Sequence, residues 1–181
     1  VQELEEKRAA VAQLRPGVQV RWALIGPLQS NKVRRALAAA DRISSVDRVE
    51  LLARIAELGG ADAAPRQVLL QVNIDEDPAK SGFTPGALRA ALPEIAAVLN
   101  GTPFTVEGLL TVGRLTNDAA EARSTFSSFV AFSHSLREAA SAQGLQIGPL
   151  ISAGMSGDFE LAIEEGATQV RLGSTLFGAR G

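Results

Sequence analysis

Along this chain the spacing of apolar residues alternates between a helical and an extended period, and the alternation recurs about every 30 residues. Leu4, Val11 and Leu14 among charges predict a helix over residues 1–14. The unbroken run VRWALIG predicts a strand over 20–26, and NKVRRALAAA after it a helix. RISSVD predicts a short strand over 42–47 that leads into the helix RVELLARIAELGG, stopped by its paired glycines. RQVLLQVNI predicts a buried strand over 66–74, and PGALRAALPEIAAVLN a helix. FTVEGLLTVG predicts a strand over 104–113, followed by a long amphipathic helix opened by an Asn117-Asp118 cap. GPLISAGM predicts a strand over 148–155, the segment SGDFELAIEEG a helix, and TQVRLGSTLF a last strand broken by a small-residue turn.

Strict alternation with strands apolar on both faces predicts a parallel sheet covered by helices. No G-x-G-x-x-G follows any strand, which weighs against an open dinucleotide-binding sheet. The competing architecture is the closed (β/α)8 TIM barrel, typically about 250 residues long. Six predicted strands and six helices, starting on a helix, leave about two units short at the front. The predicted fold is therefore an α/β barrel lacking its first two strands, a single domain over residues 1–181 that is N-terminally incomplete.

Composition narrows the setting. With 181 residues, 46% of them hydrophobic and 21% charged, a sizeable core is expected. Eighteen basic against 20 acidic side chains, scattered along the chain, give no electrostatic footprint for nucleic acid or an anionic membrane. No apolar run approaches the roughly 18 residues that span a bilayer, so a cytoplasmic protein is expected. Cysteine is absent, which excludes disulfides, thiolate metal sites and a cysteine nucleophile. HExxH, GxSxG and P-loop patterns are also missing.

In a barrel, chemistry sits at the C-terminal ends of the strands, and phosphate is commonly held by the loops after the last two strands with a helix N-terminus. Ser156, in SAGMSGDF, is predicted to cap the penultimate helix, where free N–H groups and the dipole favour an anion. Asp158 would repel a phosphate if it faced inward and is expected to face outward. Gly173 and Ser174 end the last strand, where a missing Cβ lets backbone amides approach an oxyanion. Alone, Ser156 is an ordinary helix cap and LGST a rim turn; together, on adjacent strand ends, they favour phosphate. Period two places Arg171 on the face shared with Gln169 and Gly173. A guanidinium there needs acceptors, from a carboxylate such as Glu107 or from a ligand.

The segments WALIGPLQSNK, LLQVNIDEDPAKSGF, EGLLTVG and SAGMSGDFELAIEEGATQVRLGSTLFGAR resemble, in order and spacing, the pyridoxal-phosphate homeostasis protein family (YggS/PROSC-like). The resemblance runs from Val1 to the C-terminus. It implies a barrel similar to the alanine racemase N-terminal domain, with pyridoxal 5′-phosphate (PLP) held on a lysine. It implies no established turnover, a role in vitamin B6 balance, and PLP-dependent apoenzymes as partners; a monomer is expected. Residue by residue, it implies that Ser156, Gly173 and Ser174 hold the phosphate and that Arg171 faces the pyridine nitrogen, where a permanent cation disfavours ring protonation. Asn73 and Met155 would line the pocket. Asn31, Lys32 and Lys80 match further family positions, and their plain reading is as solvated loop and helix-start residues.

Departures from the family carry equal weight. Its Schiff-base lysine ends the first strand and a Gly-Glu-Asn motif ends the second, both upstream of Val1. Lys7, Lys32 and Lys80 are the lysines present, none at a strand end suited to that role. Ala23 stands where the family usually has His. Tyrosine is absent, which speaks against the alternative of a PLP-dependent amino-acid racemase. A barrel enzyme acting on phosphorylated small molecules is the remaining alternative. His134 is expected on the surface, and Trp22 and the phenylalanines in the core.

Overall fold

The computed structural model describes residues 1–60 and 66–178. Helix α1 (Gln2–Leu14) precedes strand β1 (Ala23–Leu24), and a 3-10 turn at Ser30–Lys32 opens α2 (Val33–Ala39). Then follow β2 (Arg42–Val46), α3 (Val49–Gly59), β3 (Arg66–Val72), α4 (Pro85–Leu99) and β4 (Phe104–Thr111). The chain continues through α5 (Ala119–Ser141), β5 (Ile147–Met155), α6 (Phe159–Glu164), β6 (Gln169–Arg171) and the single turn α7 (Ser174–Phe177).

Local chemistry accounts for the helix ends. Thr84 Oγ1 accepts the Ala87 amide at 3.2 Å ahead of Pro85 in the first turn of α4, and Asp118 Oδ1 accepts the Ala120 amide of α5 at 2.8 Å. The chain leaves α3 through Gly60, at φ 71°.

All six strands run parallel in sequence order, β1-β2-β3-β4-β5-β6. One side of the sheet packs on the helices. Val49, Leu51, Leu52 and Ile55 of α3, Leu88, Leu92 and Ile95 of α4, and Phe126, Phe129 and Leu136 of α5 meet Ile43, Val68, Leu70, Val106, Leu109 and Ile151 there. Each such side chain, fully buried, contributes about 1.5–3 kcal/mol, and this layer supplies the rigid frame of the mouth.

The other side is concave. Arg42 on β2 reaches Glu107 on β4 at 2.8 Å, and Arg171 on β6 reaches the Thr111 carbonyl on β4 at 2.8 Å. Ala23 and Gln169, on the first and last strands, line one cavity of about 270 Å³ together with Arg42. The sheet is thus an arc of a barrel wall curled around a lumen, with helices outside, as the alternation predicted. Among the described residues β1 and β6 share no ladder.

The first and last strands are shorter than predicted. Of residues 20–26 only Ala23 and Leu24 pair, with Arg42 and Ile43. The Trp22 amide instead donates to Asp41 Oδ2 at 2.7 Å, its carbonyl accepts from the Asp41 amide at 2.7 Å, and Gly26 turns away at φ 103°. Trp22 is therefore half-buried rather than in the core. Five phenylalanines, at 83, 104, 126, 129 and 132, are buried, whereas Phe177 is exposed on α7. His134 is exposed, as expected.

Candidate functional site

At the C-terminal ends of β5 and β6 the backbone amides of Gly173 and Thr175 converge on one oxygen, Ser156 Oγ, at 3.0 and 3.3 Å. Thr175 Oγ1 also donates to the Ser156 carbonyl at 3.4 Å. Both amides are spent on the serine oxygen here, and an oxyanion beside Ser156 would compete for the same donors. Ser174 stands exposed at the edge of this cup, and a Cβ built on Gly173 would meet nothing, so the cup is open to the outside. The cap of α6 is Asp158 rather than Ser156. The chain makes a turn before that helix, and Ser156 reaches across to the next loop instead of serving its own helix.

Arg171 lies beside this cup and points into the lumen. Its Nη1 donates to Ser152 Oγ on β5 at 2.9 Å and its Nη2 to the Thr111 carbonyl at 2.8 Å. Glu107, offered by the sequence as its partner, is bound to Arg42 instead. The register explains this. Val68 pairs with Val106 and Leu69 with Gly108, so Glu107 is the extra residue of a bulge, which re-aims its side chain low in the lumen. Burial pushes the Arg171 guanidinium below the ordinary arginine value, and the Asp158 carboxylate pulls the other way.

Asp158, expected to face outward, turns back over the strand end. Its Oδ1 accepts the Met155 amide at 2.6 Å, and a Cβ on Gly113 would lie 3.3 Å from its Oδ2. Met155 itself is 41% exposed, opposite Arg171 in the ladder, so its side chain is free to cover a ligand.

The strand order sets Asn73 apart from this cup. On β3's exit, two strands from β5, its side-chain amide donates to the carbonyls of Asp77 at 2.8 Å and Lys80 at 3.4 Å, and its Oδ1 accepts the Asp77 amide at 3.2 Å. It therefore folds the loop before α4, and it borders a separate cavity of about 230 Å³ with Gly26, Lys80 and Val112. Lys80 is no solvated loop residue. Its Nζ donates to the Gly113 carbonyl at 3.0 Å and stands 3.7 Å from Asp75, which also takes Arg114 and Thr125. Asn31 and Lys32 remain exposed on their 3-10 turn.

The structure thus joins Ser156, Arg171, Gly173, Ser174 and Met155, and leaves Asn73 elsewhere. It adds Thr111, Ser152, Asp158 and Thr175. Thr111 and Ser152, fully buried polar residues in apolar strands, were the signal available for two of them. Among the described residues no group of His, Asp and Glu could hold a metal ion, and no helix is long and apolar enough to cross a membrane.

The family model described as alanine racemase, N-terminal domain, matches residues 1–181. The pyridoxal phosphate homeostasis protein of Vibrio alginolyticus is 34% identical over 181 residues, covering 99% of this chain and 74% of its own. That of Pseudomonas aeruginosa is 36% identical, with 99% and 72% covered. PipY of Synechococcus elongatus PCC7942, solved with PLP bound, superposes with a TM-score of 0.82 at 34% identity over 97% of this chain and 78% of its own. Clostridium difficile alanine racemase, at 13% identity and a TM-score of 0.70 over 96% of this chain and 44% of its own, shares the fold. The chain belongs to the alanine racemase N-terminal domain family, among the pyridoxal phosphate homeostasis proteins.

Proposed function

We propose that this chain is the phosphate-holding part of a PLP-binding protein that serves intracellular vitamin B6 homeostasis and does not turn over amino acids. The observation that carries the reading is the convergence of the Gly173 and Thr175 amides on a single oxygen beside a half-buried arginine. The donor set fits a phosphate: two amides, the hydroxyls of Ser156, Ser174 and Thr175, and an open approach at Gly173. PipY, similar over nearly the whole chain, carries PLP in its structure, and the curated relatives are named for homeostasis rather than for a reaction.

When bound, PLP supplies an aldehyde that captures amines and a ring that withdraws electrons. The residues present would hold its phosphate at Ser156, Gly173 and Ser174. Arg171, with Nη1 and Nη2 committed to Ser152 and Thr111, is a fixed positive charge. Placed toward the ring nitrogen, it would disfavour protonation there and weaken electron withdrawal, which would favour storage over turnover. Met155 would close over the ring. Transfer to PLP-dependent apoenzymes and a cytoplasmic setting complete the proposal.

The test is the visible spectrum of the protein with added PLP, run beside intact-protein mass before and after borohydride. Retention of PLP, weakened at least tenfold by Ser156→Ala together with Gly173→Ala, and no racemisation of alanine or serine, is the expected result. Equal retention by that double variant, or measurable turnover, overturns the reading.

A further inference from the structure

At the opposite end of the barrel wall, where β4 and β5 begin, the structure holds a cavity of about 960 Å³. Leu99, Phe104, Val106, Leu145 and Ile147 form its apolar lining. Into it and into the neighbouring cavity of about 630 Å³ projects Arg137 of α5. The other partly buried arginines, at 42, 48, 66, 123 and 171, are all bonded to a carboxylate, a carbonyl or a hydroxyl. Arg137 alone among them has no hydrogen bond or ion pair among the described residues, and its Nε is buried with no partner. A guanidinium half removed from water and left unpaired is costly unless an acceptor arrives.

From this juxtaposition we infer that the groove is a second binding site, for a small monocarboxylate with an aliphatic body. The head pairs with Arg137 in the two-pronged manner that guanidinium and carboxylate share, and the body covers the apolar lining. Glu107, the other ionisable group of this groove, is already held by Arg42. His134 and Glu138 open onto the neighbouring cavity. Helix α4 ends at the groove, at Leu99, and α5 ends at Ser141 beside the neighbouring cavity, so the negative ends of their dipoles lie close to it. That field opposes any anion and a dianion such as phosphate more strongly, so the attraction for a carboxylate head comes from Arg137 alone. The site lies across the sheet from the cup at Ser156 and is independent of it.

Hexanoate is the probe, titrated into the full chain without PLP and followed by amide chemical shifts. Saturable binding at residues of α4, α5 and the start of β5 is expected, with Arg137→Gln weakening it at least tenfold. Ala97→Trp fills the groove from the exposed face of α4 without removing a buried group, and weakens binding likewise. Arg34→Gln, at an exposed arginine, leaves it unchanged. Hexanoate binding equally to wild type and Arg137→Gln, inorganic phosphate binding as tightly, or no saturable binding at all overturns the inference. PLP retention is read separately on the same samples, so failure here leaves the cofactor reading intact and failure there leaves this one.

Discussion

Single residues set how close the strands come and where the lumen's charges point. A Cβ on Gly108 would stand 1.9 Å from the Leu150 carbonyl, a distance no side-chain rotation relieves. Gly108→Ala is expected to part β4 from β5 and cost more than about 3 kcal/mol, beyond the ordinary range for a point change, as read by urea unfolding. Thr111→Val removes the buried hydroxyl that donates to the Val72 carbonyl at 2.8 Å. That leaves a buried acceptor unpaired, and a loss of about 1–3 kcal/mol is expected in the same measurement. Legibility at this scale was mixed for physical reasons. Alternation alone put Arg171 in the lumen, because parity is fixed by the backbone. Its partners escaped, because they depend on cross-strand register, which the Glu107 bulge shifts by one residue. Ser156 was expected to cap its own helix, whereas its hydroxyl accepts the Gly173 and Thr175 amides, since a serine before a helix looks the same whether its hydroxyl turns forward or across to the next loop.

Elements were easiest to recognise where packing and caps agree. Each helix and strand between residues 28 and 172 was visible in the apolar period, with ends displaced by a few residues. Asp118→Ala removes the cap bond to Ala120 and is expected to lower stability by about 1 kcal/mol, measured by thermal melting. The first strand was over-read because an unbroken apolar run carries no information about whether a neighbour exists to pair with it. Helix α1 has no buried residue and is tied to α2 by Arg35, which pairs with Glu5. That hydrogen bond holds the Glu5 carboxyl below the ordinary glutamate value. A depressed folded value means the contribution is present above the unfolded glutamate value and is lost as pH falls through the folded one. NMR titration of Glu5 should show the depression, and Arg35→Gln should abolish it.

For the molecule as a whole, alternation was sufficient to identify the barrel wall, because a parallel sheet needs helical crossovers and buried faces on both sides. What alternation does not encode is how far the wall closes. β1 and β6 each present an unpaired edge among the described residues, and Ile25, Met155, Leu176 and Phe177 stand exposed nearby. The 181-residue polypeptide made alone is therefore expected to self-associate, seen as concentration-dependent sedimentation; a single monodisperse species would refute this. The span from Arg171 over β5 to Thr111, which in turn grips Val72, has one more consequence. A three-residue strand near the end of a chain would ordinarily fray on its own. Here its release also breaks the Arg171 bonds to Ser152 on β5 and to the Thr111 carbonyl on β4, so hydrogen exchange around Arg171 should be slower than the breathing of a free edge strand, and Arg171→Gln should speed it.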